Sequence, residues 1–239
     1  MSQTLGYSAN LLEIGGIIFP GIDQADFTGP FEVLSRVPQS RFHILASSLA
    51  PVRDSKGLIL TPEKTLSDAP LLDVLLVPGG GGVNAVMQDA QALRFLRAQA
   101  AHARCVLSVC TGSLVLGAAG LLKGRRATTH WASHHLLGLF GAIPVKERVV
   151  IDGGLVTTAG VTAGYDGALR VVALLRGEAA AQSIQLYLQY APEPPFNSGS
   201  PETAPAEIVK STRDAMQPLL DERLKIIQQI TQKSGVEEK

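Results

Sequence analysis

The chain has 239 residues, 46% of them hydrophobic and 18% charged, with 21 basic side chains set against 21 acidic ones. This length can bury a sizeable core in a single α/β unit, and the zero net charge argues against a nucleic-acid partner, which needs a basic face. No run of 18 apolar residues occurs, so no membrane span is expected.

Residues 1–10 read as a loose leader with neither a basic n-region nor an apolar h-region. No secretory signal is expected, and the cytoplasm is the expected compartment. The isoleucine-rich run Leu12–Phe19 predicts a buried strand, broken by Pro20-Gly21. A helix is expected from near Asp26 through Leu34. Phe42–Ala46 predicts a second short strand, and Leu58–Thr61 a small strand or hairpin piece. Leu72–Val77 predicts another buried strand, which empties into Pro78-Gly79-Gly80-Gly81-Gly82. Ala90–Ala103 is helical in composition, with Leu93, Leu96 and Ala100 as apolar points. The strand Cys105–Val109 stops at Cys110. A helix then runs from about Ser113 to Ala119, bounded by Gly120 and Gly124. Val149–Ile151 and Leu155–Thr158 flank the tight turn Asp152-Gly153-Gly154. Two more helices are expected at about Ala168–Leu175 and Ala179–Leu188.

Strands alternating with helices predict an α/β fold, a mostly parallel sheet with helices on both faces. Residues 11–190 read as one domain. The proline-rich stretch 191–205 predicts an arm. Glu207–Gln232 predicts an amphipathic helix with apolar points from Ile208 to Ile230, packing on the domain or on a dimer partner.

Ligands of parallel α/β sheets sit at the carboxyl ends of the strands. Ser108-Val109-Cys110-Thr111-Gly112 places a thiol there, flanked by small residues, as in a G-x-S-x-G nucleophile elbow. The following helix N-terminus would favour thiolate. The same pattern also suits a small buried apolar residue, and the segment alone leaves both readings open. Cys105 and Cys110 fall at opposite ends of one strand, so both are expected to be reduced. The glycines of Pro78–Gly82, Gly80 and Gly81 among them, could aim backbone N–H groups at an anion, or form a plain loop. Asp26 lies past the first strand, at the mouth of the same crevice. It suits a general acid or base, although the bare sequence favours a helix N-cap. His130 is a candidate partner for Cys110 or a packed core histidine. His102, His134 and His135 lack metal-ligand spacing, so no metal is expected.

The stretches "FPGIDQADFTGPFEVL", "DVLLVPGGGG", "SVCTGSLVLGAAGLLKGRRATTHW" and "YAPEPPFNSGSPETAP" resemble the ThiJ/PfpI superfamily, and within it the isocyanide (isonitrile) hydratase group. The resemblance runs from about Leu12 to the terminal helix. It implies a flavodoxin-like three-layer sandwich with a cysteine nucleophile elbow, a homodimer, and no metal or organic cofactor. It implies Cys110 as nucleophile, Asp26 as the essential carboxylate and Thr111 as a hydrogen-bonding neighbour. Gly80, Gly81, Gly160 and Val161 would border the substrate or stabilise the transition state. Two positions depart from the group's pattern: Gly81 stands where a threonine is usual, and Val161 where an isoleucine is usual. The implied reaction is hydration of an isocyanide to an N-substituted formamide. A glyoxalase-like or deglycase-like enzyme and a cysteine-based redox sensor are the alternatives within the superfamily.

Overall fold

The computed structural model describes residues 11–237, and the leader expected at residues 1–10 lies outside the described residues. In chain order the elements are β1 (Leu12–Ile17), α1 (Gln24–Leu34), β2 (Ser40–Ala46), β3 (Val52–Arg53), β4 (Ile59–Leu60), β5 (Lys64–Thr65), β6 (Val74–Val77), α2 (Val83–Val86), α3 (Ala90–His102) and β7 (Cys105–Ser108). There follow α4 (Gly112–Ala118), β8 (Arg126–Ala127), a 3₁₀ segment over Trp131–Phe140, β9 (Ile143–Pro144), β10 (Val149–Asp152), β11 (Leu155–Thr158), α5 (Ala163–Arg176), α6 (Glu178–Tyr187) and α7 (Ala206–Glu237).

Seven strands form one sheet in the order β10-β11-β7-β6-β1-β2-β5. Every pairing in it is parallel except β10 with β11. All of β6 and β7 is buried. A parallel strand covered by helices on both faces meets no water, so both of its side-chain rows are apolar and the sequence shows a run rather than an alternation. The helices fall into two packed groups, α1–α5–α6 and α2–α3–α4.

From β1 the chain moves one way to β2 and the other way to β6. That reversal opens a crevice above the carboxyl ends of β1 and β6. The turns leaving β1, β6 and β7 all arrive there.

The short pieces differ most from expectation. Val52–Arg53 pairs antiparallel with Ile59–Leu60, so the Leu58–Thr61 piece is the second arm of a hairpin. The helix expected from Ala168 begins at Ala163. The 3₁₀ segment 131–140 was unforeseen, because its apolar residues follow neither a helical nor a strand period. Helix α7 packs on that segment and on α2. The Arg213 guanidinium stacks over the Trp131 ring, 4.9 Å from its centroid.

Candidate functional site

Three turns build the site. The first follows β1 and places Asp26 in the first turn of α1. Asp23, not Asp26, caps this helix: its carboxylate accepts the Ala25 N–H at 3.1 Å. Asp26 is thereby released from the capping role that the bare sequence favoured. Its side chain is fully buried and turns toward the crevice, where Oδ2 accepts the Gly79 N–H at 3.0 Å. Oδ1 is buried with no hydrogen-bond partner.

The second turn is the glycine loop after β6. It is clasped, not open. Gly79 N–H goes to Asp26, Gly80 N–H to Thr111 Oγ1 at 3.1 Å, and Gly82 N–H to the Gly21 carbonyl at 2.9 Å. The Gly79 carbonyl accepts from Asp23 N–H at 3.0 Å. These three donors are spent on the protein itself, so the Gly79, Gly80 and Gly82 N–H groups are not a free anion cradle. A Cβ on Gly79 would sit 2.6 Å from Thr111 N and 2.7 Å from both Asp26 Oδ2 and Thr111 Oγ1. Gly79→Ala is therefore expected to destabilise the fold by about 1–3 kcal/mol, read as a lower thermal midpoint. An unchanged midpoint would mean that the loop yields freely.

The third turn carries Cys110 between β7 and α4. Cys110 has φ 53°, in the left-handed region that a residue with a Cβ enters at a cost of about 1–2 kcal/mol. Both ends of the residue are pinned there. Its N–H donates to the Ala159 carbonyl at 2.9 Å, and its carbonyl accepts from Thr129 Oγ1 at 2.8 Å and from Ser113 Oγ at 3.3 Å. Gly112 follows with its Cα against the β6 end, where a Cβ would lie 2.1 Å from the Val77 carbonyl oxygen. The turn is thus a strained strand-to-helix elbow, and it holds Cys110 buried, with 7% of the residue exposed.

Asp26 and Cys110 influence each other's ionisation. Burial pushes the Asp26 carboxyl up to about 7, and the Asp23 charge adds to this. The contacts with Cys110 and with Gly79 N–H oppose it. Burial pushes the Cys110 thiol well up as well, followed by the Asp26 charge, while the Thr111 N–H pulls it down. This corrects the expectation of a preformed thiolate: one backbone N–H at the helix start does not offset desolvation beside two carboxylates. The two groups form a coupled pair that holds one negative charge more readily than two.

The remaining candidates fall around this pair. Thr111 Oγ1 is locked to Gly80, by its N–H and its carbonyl. His130 lies beside Gly160, where a Cβ would stand 3.3 Å from His130 Cδ2. Its Nδ1 accepts the Ala132 N–H at 3.3 Å and caps the 3₁₀ segment. Burial and the Arg223 charge press its pKa down to about 4, so it is neutral at pH 7. No described hydrogen bond joins it to Cys110. Val161 is half-buried ahead of α5, its carbonyl accepting the Gly164 N–H. Gly81 is half-buried in the loop. His102 and His135 are exposed, and His134 bonds the Val145 carbonyl. Among the described residues, no three His, Cys, Asp or Glu side chains group as a metal site.

Sequence reasoning missed three buried polar residues: Asn84, Ser133 and Arg223. Arg223 alone left a signal. Positions 216, 220, 223, 227 and 230 share one helical face, and a cation among apolar residues in that register marks a polar site beneath the helix.

Residues 14–174 match the model of the DJ-1/PfpI family. The isonitrile hydratase of Pseudomonas putida is 54% identical over 222 residues, covering 93% of this chain and 97% of that protein. The crystal structure of a ThiJ/PfpI family protein from Pseudomonas syringae superposes with a TM-score of 0.89 at 40% identity, covering 91% of each chain. Drosophila melanogaster DJ-1beta gives a TM-score of 0.69 at 25% identity, over 76% of this chain and all of that one. The sheet order, the strained cysteine turn and these likenesses agree, and the chain belongs to the DJ-1/PfpI family.

Proposed function

We propose that this protein hydrates isocyanides to N-substituted formamides through a covalent intermediate on Cys110. The observation that carries the reading is the 54% identity, over nearly the whole chain, to the isonitrile hydratase of Pseudomonas putida. The chemistry of the site supports it. An isocyanide ends in a linear N≡C group, so only a thin, terminal carbon has to reach a thiol that is almost enclosed.

The coupled pair supplies the proton traffic. The thiol proton passes to the Asp26 carboxylate as sulfur bonds the terminal carbon. Asp26 returns that proton to the same carbon, giving a thioimidate, Cys110–S–CH=N–R. Asp26, again a carboxylate, takes a proton from water as hydroxide adds to the thioimidate carbon, and the proton ends on nitrogen. The C–S bond then breaks, the hydroxyl proton is transferred to sulfur, and R–NH–CHO leaves. Net consumption is one isocyanide and one water, with no redox change. A carboxyl with a pKa near 7 can both hold and release a proton at neutral pH, which both half-reactions require. Thr111 keeps the glycine loop against the elbow, while Gly80, Gly81, Gly160 and Val161 border the substrate. His130, neutral and engaged in capping, has a packing role.

The raised thiol pKa disfavours a redox sensor, which depends on an accessible thiolate. The deciding assay mixes purified protein with cyclohexyl isocyanide and follows N-cyclohexylformamide. Methylglyoxal is the control electrophile. Formamide production supports the reading. Turnover of methylglyoxal without formamide would move it to the glyoxalase-like alternative.

We further propose a cytoplasmic homodimer. Both cysteines are free, as suits a reducing compartment. Leu174 of α5, Leu186 and Tyr187 of α6, and Phe196 of the arm are all exposed, Leu186 by 82%. An open groove of about 930 Å³ also runs along β10, α5 and α6, and neither Cys110 nor Asp26 borders it. Light scattering is expected to give twice the 25.2 kDa chain mass. A monomer at micromolar concentration would refute the dimer.

A further inference from the structure

Arg223 lies on α7, beyond the 14–174 stretch that the family model matches. It is 1% exposed. Its Nε donates to Asn84 Oδ1 at 3.0 Å, one terminal nitrogen donates to Ser133 Oγ at 2.9 Å, and the other to the Gly80 carbonyl at 3.4 Å. All three acceptors are neutral. Glu222, its neighbour on the helix, bonds Asn84 Nδ2 at 3.1 Å instead. A guanidinium buried among neutral groups is costly, and a neutral side chain of similar shape would avoid the penalty. The Glu222 charge offsets part of that cost, and an anion forming nearby would offset more.

The Cys110 sulfur is that anion: its negative charge and the guanidinium attract. At Cys110 itself, burial and the two aspartates push the thiol up, opposed by the Thr111 N–H. Burial first, and the same guanidinium second, keep His130 neutral. The titratable groups within electrostatic reach of the sulfur or the guanidinium are Asp26 and Asp23 from the β1–α1 turn, His130, and Glu222 on α7.

We propose that Arg223 is a positioning residue for Cys110: its guanidinium holds the Gly80 carbonyl, and through it the Thr111 clasp, while its charge stabilises the sulfur anion that forms as the thiol reacts. Helix α7 is on this account part of the active site. The proposal rests on Cys110 as the attacking group, but not on which electrophile it attacks.

Alkylation of Cys110 by iodoacetamide tests it without any isocyanide. The reaction is followed from pH 6 to 10 by the mass of the Cys110 peptide, so that Cys105 is read separately. Arg223→Gln is expected to slow alkylation about tenfold at pH 8 and to move the profile upward by about one pH unit. Arg223→Lys keeps the charge and is expected to recover most of the alkylation rate. Its formamide turnover is expected to stay low, because a compact ammonium cannot span Asn84, Ser133 and Gly80 together. Ser133→Ala loosens the guanidinium and is expected to move the profile the same way by less. If Arg223→Gln does not fold, Ser133→Ala decides. A wild-type alkylation profile in the deciding variant would overturn the proposal. A shifted profile in a protein whose wild type makes no formamide would remove the hydratase reading and leave this one standing.

Discussion

Cys110→Ala is expected to lower formamide production from cyclohexyl isocyanide by at least about 10⁴-fold, the scale on which loss of a nucleophile is felt when the rest of a site is intact. The fold should survive. The turn is held by the Cys110 N–H donated to the Ala159 carbonyl and by hydroxyls from Thr129 and Ser113, none of which uses the sulfur. A second consequence follows at Asp26. The Cys110 contact is one of two interactions that oppose the upward push of burial, the Gly79 N–H being the other. Without the thiol, the carboxyl pKa should rise above about 7, which carboxyl-resolved titration by NMR or infrared difference spectroscopy would read. Turnover by a correctly folded Cys110→Ala at the wild-type rate would end the covalent scheme.

The sheet was legible for a specific reason. Leu72–Val77 and the run into Cys110 belong to central strands covered on both faces, so their sequences have no polar row and break sharply at a turn. The start of α5 was not legible. Gly164 and Gly167 precede the expected start at Ala168, yet they lie in the helix where it meets Pro30 of α1 and Thr158 of β11, contacts that only the tertiary fold supplies. Asp23 and Asp26 show a finer limit. Either carboxylate could cap α1, and a shift of three residues in the helix start decides which one is free to face a thiol. Electrostatics were least legible. The helix start after Cys110 suggested an acidic thiol, but burial and neighbouring carboxylates, brought from the β1 turn across the sheet, reverse the sign.

Asp26→Asn is the sharper test of the pair, because activity and stability should move in opposite directions. The amide can still accept the Gly79 N–H, but it can neither take the thiol proton nor return it to carbon. Turnover is expected to fall about 10²–10⁴-fold. Stability follows from linkage. Below pH 3.8 the carboxyl is protonated in both folded and unfolded chains, so its burial carries no ionic penalty. Between 3.8 and about 7 the unfolded chain releases the proton and the folded chain keeps it. Wild-type stability is therefore lost as pH rises through this window, by on the order of 4 kcal/mol above pH 7. The substituted amide has no proton to release. Chemical denaturation at pH 4 and at pH 8.5 should show Asp26→Asn near wild-type stability at the lower pH and more stable than wild type at the higher. Parallel curves for the two proteins would mean that Asp26 ionises normally in the fold. The carboxylate would then be a weaker base for the thiol proton than the first half-reaction requires.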